Sequence, residues 1–166
     1  EKSESQFCIF ISPLPELEYS FNKKGIALDF ADVDKEFISY TPNSLFIENE
    51  NLTTTCKFYK SGHLFSTDLG DILIIKNEEI HVVERLLPLT SYFIDYLARK
   101  NWDIKRHPYL TKKLICESSE ILLCSSFIGV HWARRVTNNS NAEVLSYGYK
   151  HAKQLFEELN DLLNEL

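Results

Sequence analysis

The 166 residues, 44% of them hydrophobic and 25% charged, have the composition of one globular domain, which excludes a disordered or fibrous chain. A net charge of −6 argues against a general polyanion binder, and no apolar run approaches the roughly 20 residues that a membrane helix needs. Cys8, Cys56, Cys116 and Cys124 form no Cys-x-x-Cys pair, so structural zinc is not expected; Cys8, Cys116 and Cys124 stand in apolar runs that favour buried free thiols.

In chain order, Phe7–Ile11 reads as a buried strand ended by Ser12 and Pro13, and Ile26–Phe30 as a second strand after the Lys24-Gly25 turn. Asp29, Asp32, Asp34 and Glu36 cluster without a calcium-loop pattern, so they read as a solvated acidic stretch. Ser44–Glu48, Thr53–Tyr59 and His63–Ser66 follow as strands at short spacing, which predicts an antiparallel meander. The chain is organised around Leu64–Lys100. Ile72-Leu73-Ile74-Ile75 is too continuous for a strand with one wet face, and Ile80–Leu86 is its partner across the polar Lys76–Glu79 turn. Pro88 and Thr90 then open a helix over about 90–100, with Thr90 as N-cap and Phe93, Ile94 and Leu97 on one face. Trp102–Lys105, Leu114–Glu117 and Ile121–Gly129 read as further strands. Ser140 and Glu143 have capping-box spacing, and the leucine periodicity from Leu145 through Leu166 predicts a long helix over 142–166.

Few residues are arranged for chemistry. There is no Gly-x-Ser-x-Gly elbow and no glycine-rich phosphate loop, and the five histidines lack metal-ligand spacing, so no cofactor and no resident metal is expected. Arg99, Lys100, Lys105, Arg106, Lys112 and Lys113 crowd one short segment around His107. With Arg134 and Arg135 of the His131–Arg135 aromatic–basic run, they form a candidate electropositive face. Lys105, Arg106, His107, Lys112, Lys113, Arg134 and Arg135 are its anion- or partner-binding residues. The remaining signal is a pair of acids. Gly70-Asp71 opens one strand of the central hairpin and Glu84-Arg85 closes the other, so Asp71 and Glu84 are the catalytic candidates.

This pair resembles restriction-endonuclease-like nucleases, with their Asp, gap and Glu-x-Lys pattern after an apolar strand. It also resembles the Gly-Asp and Val-Glu-Arg-Lys signature of structure-specific repair and recombination nucleases. The lysine position falls here on Leu86 and the later acid on Thr90, so the resemblance implies a degenerate relative. The expected fold is therefore one α+β domain over 1–166: a mainly antiparallel sheet of about five to eight strands, with a central helix and a long C-terminal helix packed on one face. The expected function is a non-catalytic protein-interaction or assembly subunit of a larger complex. The alternative is a nuclease-like nucleic-acid-processing domain using Asp71 and Glu84. A protein partner is expected, with nucleic acid as the second class through 99–113, and the location is read as intracellular, without a membrane span.

Overall fold

Strand β4 (Asp71–Lys76) lies inside the sheet and is apolar on both sides. Leu73 and Ile75 enter one hydrophobic cluster, Ile72 and Ile74 the other, and all four are at most 2% exposed. That two-sided burial is what the unbroken Ile-Leu-Ile-Ile run requires. A two-residue turn at Asn77 and Glu78, both with positive φ, returns the chain into β5 (Glu79–Val83), with Lys76 opposite Glu79 and Ile74 opposite His81. Positive φ at both central residues gives the turn the twist of the strands it joins.

The structure is a computed structural model and describes residues 21, 23–33, 53–59, 63–67, 69–126, 128–138, 143–146 and 148–165. The expected strands at Phe7–Ile11 and Ser44–Glu48 lie outside the described residues. The remaining strands are β1 (Ile26–Val33), β2 (Thr53–Tyr59), β3 (His63–Thr67), β6 (Ile104–His107), β7 (Leu110–Thr111), β8 (Glu120–Ser125), β9 (Gly129–Asn138) and β10 (Glu143–Ser146). They follow the spatial order β6-β5-β4-β8-β9-β1-β2-β3-β7, with β10 also paired to β9. Among the described residues six pairings are antiparallel; β1 with β2, β1 with β9, and β5 with β6 are parallel.

Helices α1 (Pro88–Arg99) and α3 (Lys150–Asn164) pack with Leu73, Ile75, Leu122 and Val130 in one cluster, so both cover the same sheet face. The fold is α+β, as composition and pattern require. The sheet has ten strands among the described residues rather than five to eight, and β1 pairs in parallel with β2 and β9 rather than opening an antiparallel meander; three local expectations are corrected as well. The N-cap of α1 is Leu87; Thr90 sits inside the first turn, fully buried, with its hydroxyl turned to a strand. Residues 143–146 form β10 against β9, so the Ser140/Glu143 spacing opens no helix and α3 begins at Lys150. Lys112–Cys116 forms the short helix α2, because the Thr111 hydroxyl accepts the Leu114 N–H at 3.1 Å.

Candidate functional site

Two elements bring polar groups together at one end of β4. Thr67 ties the chain before it: its hydroxyl donates to the Gly70 carbonyl (2.8 Å) and accepts the Gly70 N–H (3.1 Å). Gly70 then passes so close to β8 that a Cβ there would lie 2.5 Å from the Cys124 carbonyl oxygen and 2.8 Å from Ser125 Cβ. That approach sets Asp71 directly across from Cys124. The Asp71 side chain, 1% exposed, points to the start of α1, where its Oδ2 accepts the Leu87 N–H at 2.7 Å. Thr90, in the first turn of α1, donates its hydroxyl to the Cys124 carbonyl at 3.1 Å and so pins the helix start over β8.

The electrostatics follow from this burial. The Asp71 carboxyl is raised above its ordinary 3.8, chiefly by removal from water, and is held back by the Leu87 N–H and the Thr90 hydroxyl. Its Oδ1 has no hydrogen-bond partner among the described residues. The Cys124 thiol is pushed up to about 12 by the same burial, which leaves it inert as a nucleophile. The helical ladder of α1 begins with Ser91 N–H on the Leu87 carbonyl (2.8 Å), so the N–H groups of Leu89 and Thr90 precede the first helical bond. Asp71 is thus buried at a helix start, its carboxyl raised by removal from water and already accepting the N–H of the N-cap Leu87.

The hairpin carries Asp71 and Glu84 to the same open end, but it does not aim them at each other. Asp71 is buried against α1, whereas Glu84 lies past the end of β5 and is exposed. Among the described residues, no group of three or more His, Cys, Asp or Glu side chains is placed to hold a metal ion. The basic residues are likewise spread out. Lys105 pairs with Asp103 (2.9 Å) and Glu79 (3.5 Å), Arg106 with Asp95 of α1 (2.8 Å), and Lys113 with Glu117 (3.7 Å). Adjacent on β6, Lys105 and Arg106 point to opposite faces. His107 meets His81, Lys112 is half-buried in α2, Arg134 has a buried Nε, and Arg135 is exposed. The Leu87 N–H, which decides where Asp71 points, carries no signal in the sequence because every residue but proline has one.

No known protein family and no curated protein sequence matches the chain. Solved structures do match in fold. A 4-amino-4-deoxychorismate lyase from Pseudomonas aeruginosa superposes with a TM-score of 0.63 at 10% identity, over 90% of this chain and 60% of that one. The branched-chain amino acid aminotransferase from Escherichia coli gives 0.58 at 11% identity, over 80% and 50%. The PLP-bound form of a hypothetical aminotransferase from Mycobacterium tuberculosis gives 0.60 at 11% identity, over 84% and 55%. The chain thus spans about 50–60% of the length of these structures. The likeness corrects both functional expectations. The non-catalytic interaction or assembly subunit and the nuclease-like domain give way to a fold shared, over most of the chain, with aminotransferases and a lyase. The nuclease resemblance rested on one hairpin, whose two acids are turned apart.

Proposed function

We propose that the chain is part of an enzyme of the aminotransferase–lyase class, acting on a small amino- or keto-acid substrate. The observation that supports this most is the buried junction of Asp71 with the start of α1, set within a fold shared with such enzymes. In this reading, the N–H of half-buried Leu89 at the start of α1 receives an anionic group of the ligand. Asp71 holds that helix start in place by accepting the Leu87 N–H.

Pyridoxal phosphate is the group that the fold brings to mind, since one matching aminotransferase holds PLP. The start of α1 offers a phosphate the Ser91 hydroxyl in its first turn, whereas the Thr90 hydroxyl is buried and donates to the Cys124 carbonyl. Covalent anchoring of that cofactor takes a lysine amine. Of the lysines whose side chains are described none is buried, and Lys76, Lys105 and Lys113 are engaged by surface carboxylates. The described residues therefore do not complete a pyridoxal phosphate site, and the reading routes no step through one.

The test titrates the purified chain with a panel of small amino and keto acids by calorimetry, with and without inorganic phosphate. Saturable binding of at least one acid, weakened by inorganic phosphate, is the expected result. Binding of none of the panel would overturn the reading.

A further inference from the structure

On the sheet face opposite α1 and α3, two imidazoles from neighbouring parallel strands meet ring to ring. His81 Nδ1 of β5 and His107 Nε2 of β6 lie 2.8 Å apart, with centroids 5.1 Å apart and planes inclined by 17°, so the rings share a direct hydrogen bond. His81 is 8% exposed and His107 is half-buried. The Glu84 N–H, just past β5, donates to the His107 carbonyl at 2.8 Å, so ring and backbone of His107 are both tied to this segment. The position of the pair in the fold gives the contact its weight. β6 begins the path of described strands and β7 ends it, yet only Pro108 and Tyr109 separate them in the chain. His107 and Leu110 are three peptide links apart, at most about 11 Å, so the two ends of the sheet are drawn together here. Beyond the link, Tyr109 stacks on His63 of β3 with centroids 3.5 Å apart.

We propose that the His81–His107 pair is an acid-sensitive clasp: it holds β6, and with it the meeting of the two sheet ends, and lets go when both rings are protonated. The bond needs one N–H and one lone pair. Two neutral imidazoles supply them, and so does one imidazolium against one neutral ring. A second proton sets N–H against N–H at 2.8 Å and charge against charge, so the pair titrates as a unit whose second step is resisted. The surroundings add to that resistance. His81 is lowered from its ordinary 6.5, first by burial and then by the charge of His107. Glu79 of β5 is the group that favours the proton; its Oε2 is 3.4 Å from His81 Nε2, which makes no hydrogen bond among the described residues. Lys76 of β4, bound to Glu117 at the end of α2 (2.6 Å), opposes it. Lys105 of β6 stands opposite His81 in the ladder, its charge shared between Asp103 (2.9 Å) and Glu79 (3.5 Å). Arg106 points to the other face, where it meets Asp95 of α1. With the folded value of His81 below the unfolded one, its contribution to stability is fully present above pH 6.5 and is lost as the pH falls through the lowered value.

The test follows the ring nitrogens of the unaltered chain by NMR as the pH is lowered from about 8 until both rings are protonated, with amide hydrogen exchange read in parallel and corrected for its intrinsic pH dependence. The first proton should leave β6 protected. The second should raise exchange across residues 104–110 by about tenfold or more, while residues 71–76 of β4 keep their protection. His107→Gln keeps a hydrogen-bonding group at the contact but cannot titrate, and His81→Asn does the same from the other strand. Each should abolish the acid step. An acid step of undiminished size in His107→Gln, or a pair that takes both protons without a change at β6, would overturn the proposal. If a variant fails to fold, the unaltered chain decides: loosening of β6 that coincides with the second ring protonation supports the clasp, and loosening at a separate pH overturns it.

Discussion

Glu120, at the start of β8, caps a helix that begins thirty residues further along the chain. Its carboxylate accepts the backbone N–H groups of His151 (2.9 and 3.0 Å) and Ala152 (3.0 Å), and the His151 ring Nδ1 lies 2.8 Å from Oε1. Tyr149, the N-cap of α3 by position, makes no side-chain cap bond, so the distant carboxylate does that work while lying 3% exposed. A charge removed from water in this way is stable because three donors and a helix dipole meet it.

Replacing Glu120 by Ala should therefore destabilise the fold by about 2–3 kcal/mol, the range for a lost cap combined with charged hydrogen bonds. Gln, which keeps an acceptor, should cost less. Urea unfolding of the two variants checks the order. Equal stability of Glu120→Ala and the unaltered protein would show that α3 is held by its apolar face alone.

The relationship also marks what the sequence can and cannot disclose. The β4–β5 hairpin, α1 and α3 were legible because each is written locally: an apolar run, a two-residue turn, a three-and-four periodicity. The parallel pairings of β1 with β2 and β9 were not, since they join segments twenty to a hundred residues apart with no local mark of register. The Ser140/Glu143 spacing is a local signal that points to helix at 143–146, and pairing with β9 overrides it. Cys116 was expected inside, yet α2 turns it outward. At the candidate site, Asp71 was visible as a residue but its partner was not. A carboxylate seeking a backbone N–H looks the same in sequence as one seeking a metal.

Asp71 sets a pH dependence whose sign is fixed by burial. Its folded pKa is raised above the ordinary 3.8, so the folded state holds the proton more tightly than the unfolded state. The contribution to stability is fully present below pH 3.8 and is lost as the pH rises through the raised value. Asp71→Asn keeps an acceptor for the Leu87 N–H without the charge. Urea midpoints of the two proteins, compared pH by pH, should thus shift in favour of Asn as the pH rises. A constant difference across that window would place the titration elsewhere.

The two cysteines whose side chains are described, Cys116 and Cys124, should differ sharply in reactivity. Cys124 is fully buried with a thiol pushed up to about 12, whereas Cys116 is exposed at the end of α2. Thiolate is the reacting species, so alkylation at pH 8 in the folded protein should mark the Cys116 peptide and spare that of Cys124. Adding denaturant should release Cys124. Labelling of Cys124 at the same rate as Cys116 without denaturant would mean that the β8 region opens readily.

Helix α3 is the last element of the fold, and its face shows what it packs against. Ala152, Leu155, Phe156, Leu159 and Leu162 are the buried positions, recurring at three and four residues, and they share a cluster with Leu122 and Val130 of the sheet. A stripe this wide, wider than a two-position coiled-coil seam, belongs to packing on the chain's own sheet. Leu159 is fully buried at its centre, so Leu159→Ala removes side-chain contacts and leaves a cavity that the surrounding strands close only in part. The expected loss is about 2–5 kcal/mol, read by urea or thermal unfolding. Lys153→Ala on the exposed face of the same helix should change stability by less than about 0.5 kcal/mol. Unfolding curves for Leu159→Ala that overlay those of the unaltered protein would mean that α3 docks too loosely to hold the sheet.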